Sequence, residues 1–289
     1  MTASLAGLAF LGAGEKYRAN HERALAYVMA HVLDGGRGPG ETGANWNQTN
    51  WSLGYGGIYL AEVCARDSRS PAREVLAKVV KRLEENQEQT GGYAHGPGGP
   101  NALGYLELEI VSNFAIAALG MAKRAGIEAD EARTVKAIEY VKSCTSGGGV
   151  AYSTRPGQAG AGEAGRTAGA YWAFRQAGRD GRFEDGMAKY FERGLGRLTE
   201  GHVSPAMHIL AGGLASSFRG KKSMSKFWKI YLPYVMSCRV AGGAFDARPT
   251  EESRSLQSNS DRSNGPAFIT AHYALLLQLG QDRFKLLDR

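Results

Sequence analysis

Paired glycines recur along the chain at a fixed interval, and that interval limits the fold more than any other feature. Gly35-Gly36, Gly91-Gly92 and Gly147-Gly148 stand 56 residues apart each time, and Gly242-Gly243 lies 95 residues beyond the third pair. A weaker equivalent runs from Gly194 to Gly201. Self-similarity at such a period marks a repeat architecture, in which each unit buries its apolar face only against its neighbours. Glycine makes up 40 of 289 residues, about twice the usual share. No Gly-x-x triplet runs through the chain, which excludes collagen, and 43% hydrophobic residues exclude wholesale disorder.

Between the glycine clusters the hydrophobic period is helical. Ile110, Phe114, Ala117 and Leu119 to Ala122 describe a helix apolar nearly all round. Leu76, Val79, Val80 and Leu83, with Lys78, Lys81 and Arg82 opposite, describe an amphipathic one. The first kind is usually buried and the second lies at a surface, and the two alternate along the chain. Small, apolar helices are expected to begin near Thr2, Asn50, Leu103, Glu163, Ser204 and Ala267, and charged ones near Asn20, Pro71, Asp130, Phe183 and Lys222. Gly14, Gly126, Gly178 and Gly280 suit left-handed helix ends. About eleven helices in inner and outer pairs result, with a sixth outer helix absent or reduced to the tail Arg283 to Leu287. Each glycine pair is expected to turn an outer helix into the next inner one at positive φ.

The motifs Gln89-Thr90-Gly91-Gly92-Tyr93, Gly147-Gly148-Gly149-Val150-Ala151-Tyr152 and Gly242-Gly243-Ala244-Phe245-Asp246, the last followed by Ala267 to Leu275, resemble those of the prenyltransferase and squalene-cyclase repeat superfamily, and within it a bacterial branch. The resemblance implies an all-α fold, an α/α toroid, with 1–289 as one domain and a central cavity ringed by inner helices. The superfamily's chemistry does not follow residue by residue. No Asp-x-Asp-Asp acid occurs. The zinc-holding Asp-x-Cys has no counterpart near His202-Val203-Ser204, and Thr270 stands where the zinc histidine would be, so neither zinc nor any other cofactor is expected.

The glycine turns and inner-helix starts should face the cavity mouth. They bring Trp51 and Tyr55 from one repeat, then Tyr93, His95, Tyr105 and Glu107, then Tyr152, and finally Asp246 and His272. Aromatic faces with a few polar groups make a small-molecule or sugar site. Glu163, Arg166 and His202 interrupt apolar stretches and are the candidate catalytic trio. Glu163 and Arg166 are three apart and can pair along one helix face; a carboxylate beside an imidazole can do acid–base work. Any ligand is expected at a mouth lined by Trp51, Tyr93, Tyr105, Glu163, Arg166 and His202. Two rival readings use the same residues: a non-catalytic binding or scaffold domain, and a polysaccharide lyase or hydrolase with Arg166 as the neutralising cation.

Composition narrows the partners. A net charge of +7 permits anionic partners, yet no nucleic-acid-binding motif accompanies it and none is expected. Arg219, Lys221, Lys222, Lys226 and Lys229 form the densest basic run and read as a solvated helix face. Cys64, Cys144 and Cys238 are isolated and read as small buried apolar residues. No apolar run is long enough to span a bilayer. Met1 to Ala13 is apolar without a preceding basic residue and reads as a helix rather than a signal peptide, so the chain is expected to be soluble; a cytoplasmic protein and a processed secreted form both fit. Oligomeric state is not written in these features.

Overall fold

The computed structural model describes residues 1–34, 47–97, 106–154, 161–200, 204–248 and 260–288. Among them the α-helices are α1 (Thr2–Ala13), α2 (Arg18–His31), α3 (Thr49–Arg66), α4 (Ala72–Glu85), α5 (Glu109–Arg124), α6 (Glu131–Ser143), α7 (Ala164–Gln176), α8 (Arg182–Arg193), α9 (Pro205–Phe218), α10 (Lys221–Ser237) and α11 (Ser260–Leu276). A kink at Gly265 and Pro266 divides α11. The odd-numbered helices form a ring: each packs on the next, and α11 returns to α1. Each of α2, α4, α6, α8 and α10 packs outside the inner helix that precedes it. The chain is an α/α toroid, with six inner and five outer helices among the described residues.

The helix types follow from sequence. α4 buries Leu76, Val79, Val80 and Leu83 along one stripe and leaves its lysines in water. α3 is buried from Thr49 to Cys64 except at Ser52, because it is enclosed by neighbours on both sides and by an outer layer. Helix starts lie where the polar punctuation puts them. The Asp130 carboxylate accepts from the Ala132 and Arg133 amides at the start of α6, and Ser204 caps α9 at the Met207 amide. α5 begins at Glu109, later than Leu103, because Leu108 is first drawn into a bridge with Tyr93.

The inner ring closes because a glycine stands at each of its seams. A Cβ on Gly7 would lie 2.4 Å from the Tyr59 ring, one on Gly54 2.8 Å from Phe114 Cβ, and one on Gly165 2.6 Å from the His208 ring. On Gly213 it would meet Leu276 at 2.4 Å, and on Gly12 the Gln278 and Phe284 side chains. At Gly120, between α5 and α7, the obstacle is the Gln176 carbonyl at 2.6 Å, which is main chain and cannot swing aside.

The turns are built to one plan. Gly91, Gly147, Gly148, Gly242 and Gly243 have positive φ. Gly92 does not: Gly91 takes the left-handed position, and Gly92 is needed because Glu107 Cβ and the Tyr140 ring come within 2.8 Å of where its Cβ would be. Gly35-Gly36 lies outside the described residues. After each described turn an amide is pinned by a hydroxyl of an inner helix: Tyr93 N–H by Ser112 Oγ, Val150 N–H by Thr167 Oγ1 and Phe245 N–H by Thr270 Oγ1, at 3.0, 2.9 and 2.9 Å. Thr270 therefore has a structural task of its own. The strand content among the described residues is one short hairpin, β1 (Thr145–Ser146) with β2 (Gly149–Val150).

After α11 the chain crosses the floor of the ring. The buried Glu62 carboxylate on α3 accepts the Lys285, Leu286 and Leu287 amides at 2.6, 2.8 and 3.1 Å. From α7, Trp172 Nε1–H donates to the Leu287 carbonyl and Gln176 to the Leu286 carbonyl, both at 2.9 Å. Cys64, Cys144 and Cys238 are buried free thiols. No helix among the described residues is long and apolar enough to cross a membrane.

The seam argument predicts that Gly120→Ala costs about 2 kcal/mol, the scale of overpacking a rigid contact. Gly186→Ala, in the open on α8, should instead stabilise by up to about 1 kcal/mol through helix propensity. Urea unfolding of both variants measures the contrast, and equal effects would remove the seam explanation.

Candidate functional site

The inner helices surround a narrow, partly open cavity on the ring axis, about 40 Å³ in volume. Its walls are mostly apolar: Tyr55 of α3, Ile110 and Phe114 of α5, Trp172 of α7, Met207 and Leu214 of α9. Asn113, Arg166 and His208 bring polar groups to the same space. The Tyr55 and Phe114 rings lie 4.3 Å apart, with Trp51 5.7 Å from Phe114. Trp172 reaches the floor, where its indole N–H is held by the tail.

A charged cluster stands beside this cavity. Arg166, buried on α7, is shared by two carboxylates, with Nε 3.5 Å from Glu109 Oε1 and 3.3 Å from Glu163 Oε2. Its guanidinium lies 4.5 Å from the centre of the Tyr152 ring, a favourable cation–π geometry. Glu109 is fully buried at the first turn of α5 and accepts from Asn113 Nδ2 at 2.7 Å. Burial pushes the Glu109 carboxyl up to about 8, and repulsion from Glu163 adds to it; Arg166 and the Asn113 hydrogen bond pull the other way without prevailing. Near neutral pH the cluster therefore holds a largely protonated carboxyl beside Arg166 and Glu163. A carboxyl that favours its protonated form beside a buried cation is suited to acid–base work on a bound molecule.

His272 and His95 are held neutral by burial. Burial lowers His272 to about 4; its Nδ1–H donates to the Phe268 carbonyl at 2.9 Å, which leaves the Nε2 lone pair facing inward without a hydrogen-bond partner. His95 is also lowered to about 4 by burial, and its Nδ1 accepts the Trp51 indole N–H at 2.5 Å. Tyr55 Oη is buried without a hydrogen bond, and desolvation with the nearby Asp261 carboxylate raises its ionisation well above the usual phenol range. Asp261 is a buried cap for α9: it accepts from the Ser204 hydroxyl and from the Ala206 amide at 2.9 Å.

The expected site residues thus divide. Tyr55 and Arg166 line the cavity, and Trp51, Glu163, Tyr152, His95 and His272 stand against its lining or its charged cluster. Three others lie elsewhere. Tyr93 is buried toward the outer layer, within reach of Arg133 and Glu84, because its strand-like pairing with Leu108 turns it away from the axis. Glu107 accepts from Thr90 Oγ1 in the glycine turn. Asp246 is exposed, and its carboxylate accepts the Ala247 amide. Tyr105 and His202 lie outside the described residues. Of the six residues expected to bound the mouth, only Arg166 lines the described cavity. Glu109 was missed. The signal was present: Glu109 and Asn113 are four apart, on one face of an otherwise apolar helix.

Comparison with known proteins places the chain. It belongs to the family described as Domain of unknown function (DUF6288), whose model matches residues 1–279. No curated protein matches. Among solved structures, cellobiose 2-epimerase from Bacillus thermoamylovorans B4167 is similar, with a TM-score of 0.63 over 96% of this chain and 87% of that one, at 13% identity. At that identity the likeness speaks for the fold, the α/α toroid.

The raised Glu109 carboxyl makes the stability of this DUF6288 domain pH-dependent. Its folded pKa, about 8, exceeds the ordinary 4.5, so the folded state binds the extra proton between these values. The contribution is complete below the unfolded value and is lost as pH rises through the folded one, with a slope of at most about 1.4 kcal/mol per pH unit. Urea unfolding between those pH values should show wild type losing stability relative to Glu109→Gln, and parallel profiles would mean an ordinary carboxylate.

Proposed function

We propose that the domain binds a sugar-like small molecule in its axial cavity and carries out acid–base chemistry on it. The observation that carries this reading is the Glu109–Arg166–Glu163 cluster set beside an aromatic-walled cavity. Aromatic faces suit the C–H faces of a sugar ring, while Asn113, Arg166 and His208 supply the few convergent polar groups that orient it. In this reading Glu163 exchanges a proton with the ligand, Arg166 stabilises negative charge developing on a ligand oxygen, and Glu109 holds Arg166 and Asn113 in place from behind. His202 enters as the second acid–base group on sequence grounds. The toroid of cellobiose 2-epimerase, an enzyme of sugar chemistry by its name, supports the substrate class.

A second reading keeps the cavity and changes the ligand. Ile110, Phe114, Met207 and Leu214 make much of the wall apolar, which favours an apolar ligand of the kind the prenyltransferase and squalene-cyclase resemblance implies. Cellobiose and farnesol, titrated separately by calorimetry, distinguish the two. The sugar reading expects cellobiose to bind and Arg166→Met to weaken it at least about tenfold, the worth of one charge-assisted hydrogen bond, with helicity unchanged. It further expects deuterium from D₂O to enter cellobiose, and Glu163→Gln to stop it. Farnesol binding alone would transfer the site to the apolar reading, and neither ligand binding would leave a scaffold.

A further inference from the structure

The outward side of α10 carries both basic and large apolar side chains. Lys222, Lys226 and Lys229 are exposed along the first half of the helix, and Ile230, Leu232, Met236 and then Val240 are exposed along and beyond the second, at 41, 42, 41 and 38%. Spacing sets the centre of the outward side, where Lys222, Lys226, Lys229, Pro233 and Met236 alternate steps of four and three, with Ile230 and Leu232 exposed on its two flanks, while Met224, Phe227, Tyr231 and Val235 take the buried side. The segment is also devoid of counter-charge. No Asp or Glu occurs between Glu200 and Asp246, a stretch holding Arg219, Lys221, Lys222, Lys226, Lys229 and Arg239. Only Arg219 of these six is engaged by carboxylates in the described structure, by Glu192 at 3.0 Å and Asp185 at 4.0 Å.

We propose that the α10 face docks onto an anionic lipid surface, with the helix lying in the plane of the headgroups. Charge selects the occupant. A second copy packed on this face would oppose lysines to lysines or to apolar side chains. A nucleic acid would answer the lysines but leave Ile230, Leu232 and Met236 against phosphate and sugar. A bilayer of anionic lipid presents negative headgroups and an apolar interior at one boundary, and a helix with basic and large apolar side chains on its free face matches both. The surface is distinct from the axial cavity and does not depend on what the cavity binds.

Sedimentation of the full chain with vesicles tests this, comparing pure phosphatidylcholine with an equal mixture of phosphatidylcholine and phosphatidylglycerol. The expected result is at least tenfold stronger partition onto the anionic vesicles, weakened by added salt as exposed charges are screened. The triple variant Lys222→Gln, Lys226→Gln, Lys229→Gln and the double variant Ile230→Ser, Met236→Ser should each lose that advantage while keeping the wild-type circular dichroism and melting temperature. Failure to bind anionic vesicles, equal binding to both vesicle types, or variants that partition like wild type would overturn the proposal. So would a dimer, or a complex with duplex DNA, that the double variant abolishes.

Discussion

The close approach of the six inner helices is the condition on which everything else rests. Side chains of ordinary size at Gly7, Gly54, Gly120, Gly165, Gly213 and Gly12 would force the seams apart, and a wider ring would have to fill its centre with longer side chains or with water. Glycine in a helix costs roughly 1 kcal/mol against alanine. The ring accepts that cost because each helix is braced by two inner neighbours and an outer partner, so packing rather than propensity holds it. The same glycines answer for the composition: the abundance that opens the sequence reading belongs partly to turns and partly to helix interiors, where it buys proximity.

Closing the ring creates an interior with little water, and the charged cluster takes its character from that. A carboxyl placed at Glu109 loses its hydration, and Arg166 cannot restore it alone because Glu163 shares the guanidinium. The outcome is a protonated acid, a cation and a half-buried carboxylate on one wall, with histidines elsewhere held neutral by the same desolvation. At the opposite end residues 285–287 cross the floor of the ring. Their backbone amides are received by the Glu62 carboxylate, and Trp172 ties them to the cavity wall. The cavity is thus closed at one end by hydrogen bonds between main chain and buried polar side chains.

The architecture was legible because it is written in periodic signals. Glycine intervals, alternating apolar and amphipathic helices and caps such as Asp130 and Ser204 act locally, and most helix starts fall within a few residues of where those signals put them. The site was legible only in part. Arg166 and Glu163 stood out as departures from apolar stretches at an inner-helix start, and Tyr55 as an aromatic expected at the mouth. Tyr93, Glu107 and Asp246 did too, but the hairpin-like pairing after each turn sets which side chains face the axis, and a shift of one residue reverses the facing. That pairing sends Tyr93 outward and brings in Glu109 rather than Glu107. Thr270 shows the same limit: its departure from the superfamily histidine was visible, while its task of pinning the Phe245 amide needed the turn in three dimensions.

A closed ring of inner helices leaves an axial space with Arg166 at its polar side, and the proposed ligand enters there. Electron density from crystals soaked in cellobiose tests this most directly. Density is expected between Tyr55, Phe114 and Trp172, with a ligand oxygen in hydrogen-bond reach of Asn113 or Arg166. An axis filled by protein side chains, or sugar bound only on the outer surface, would contradict it.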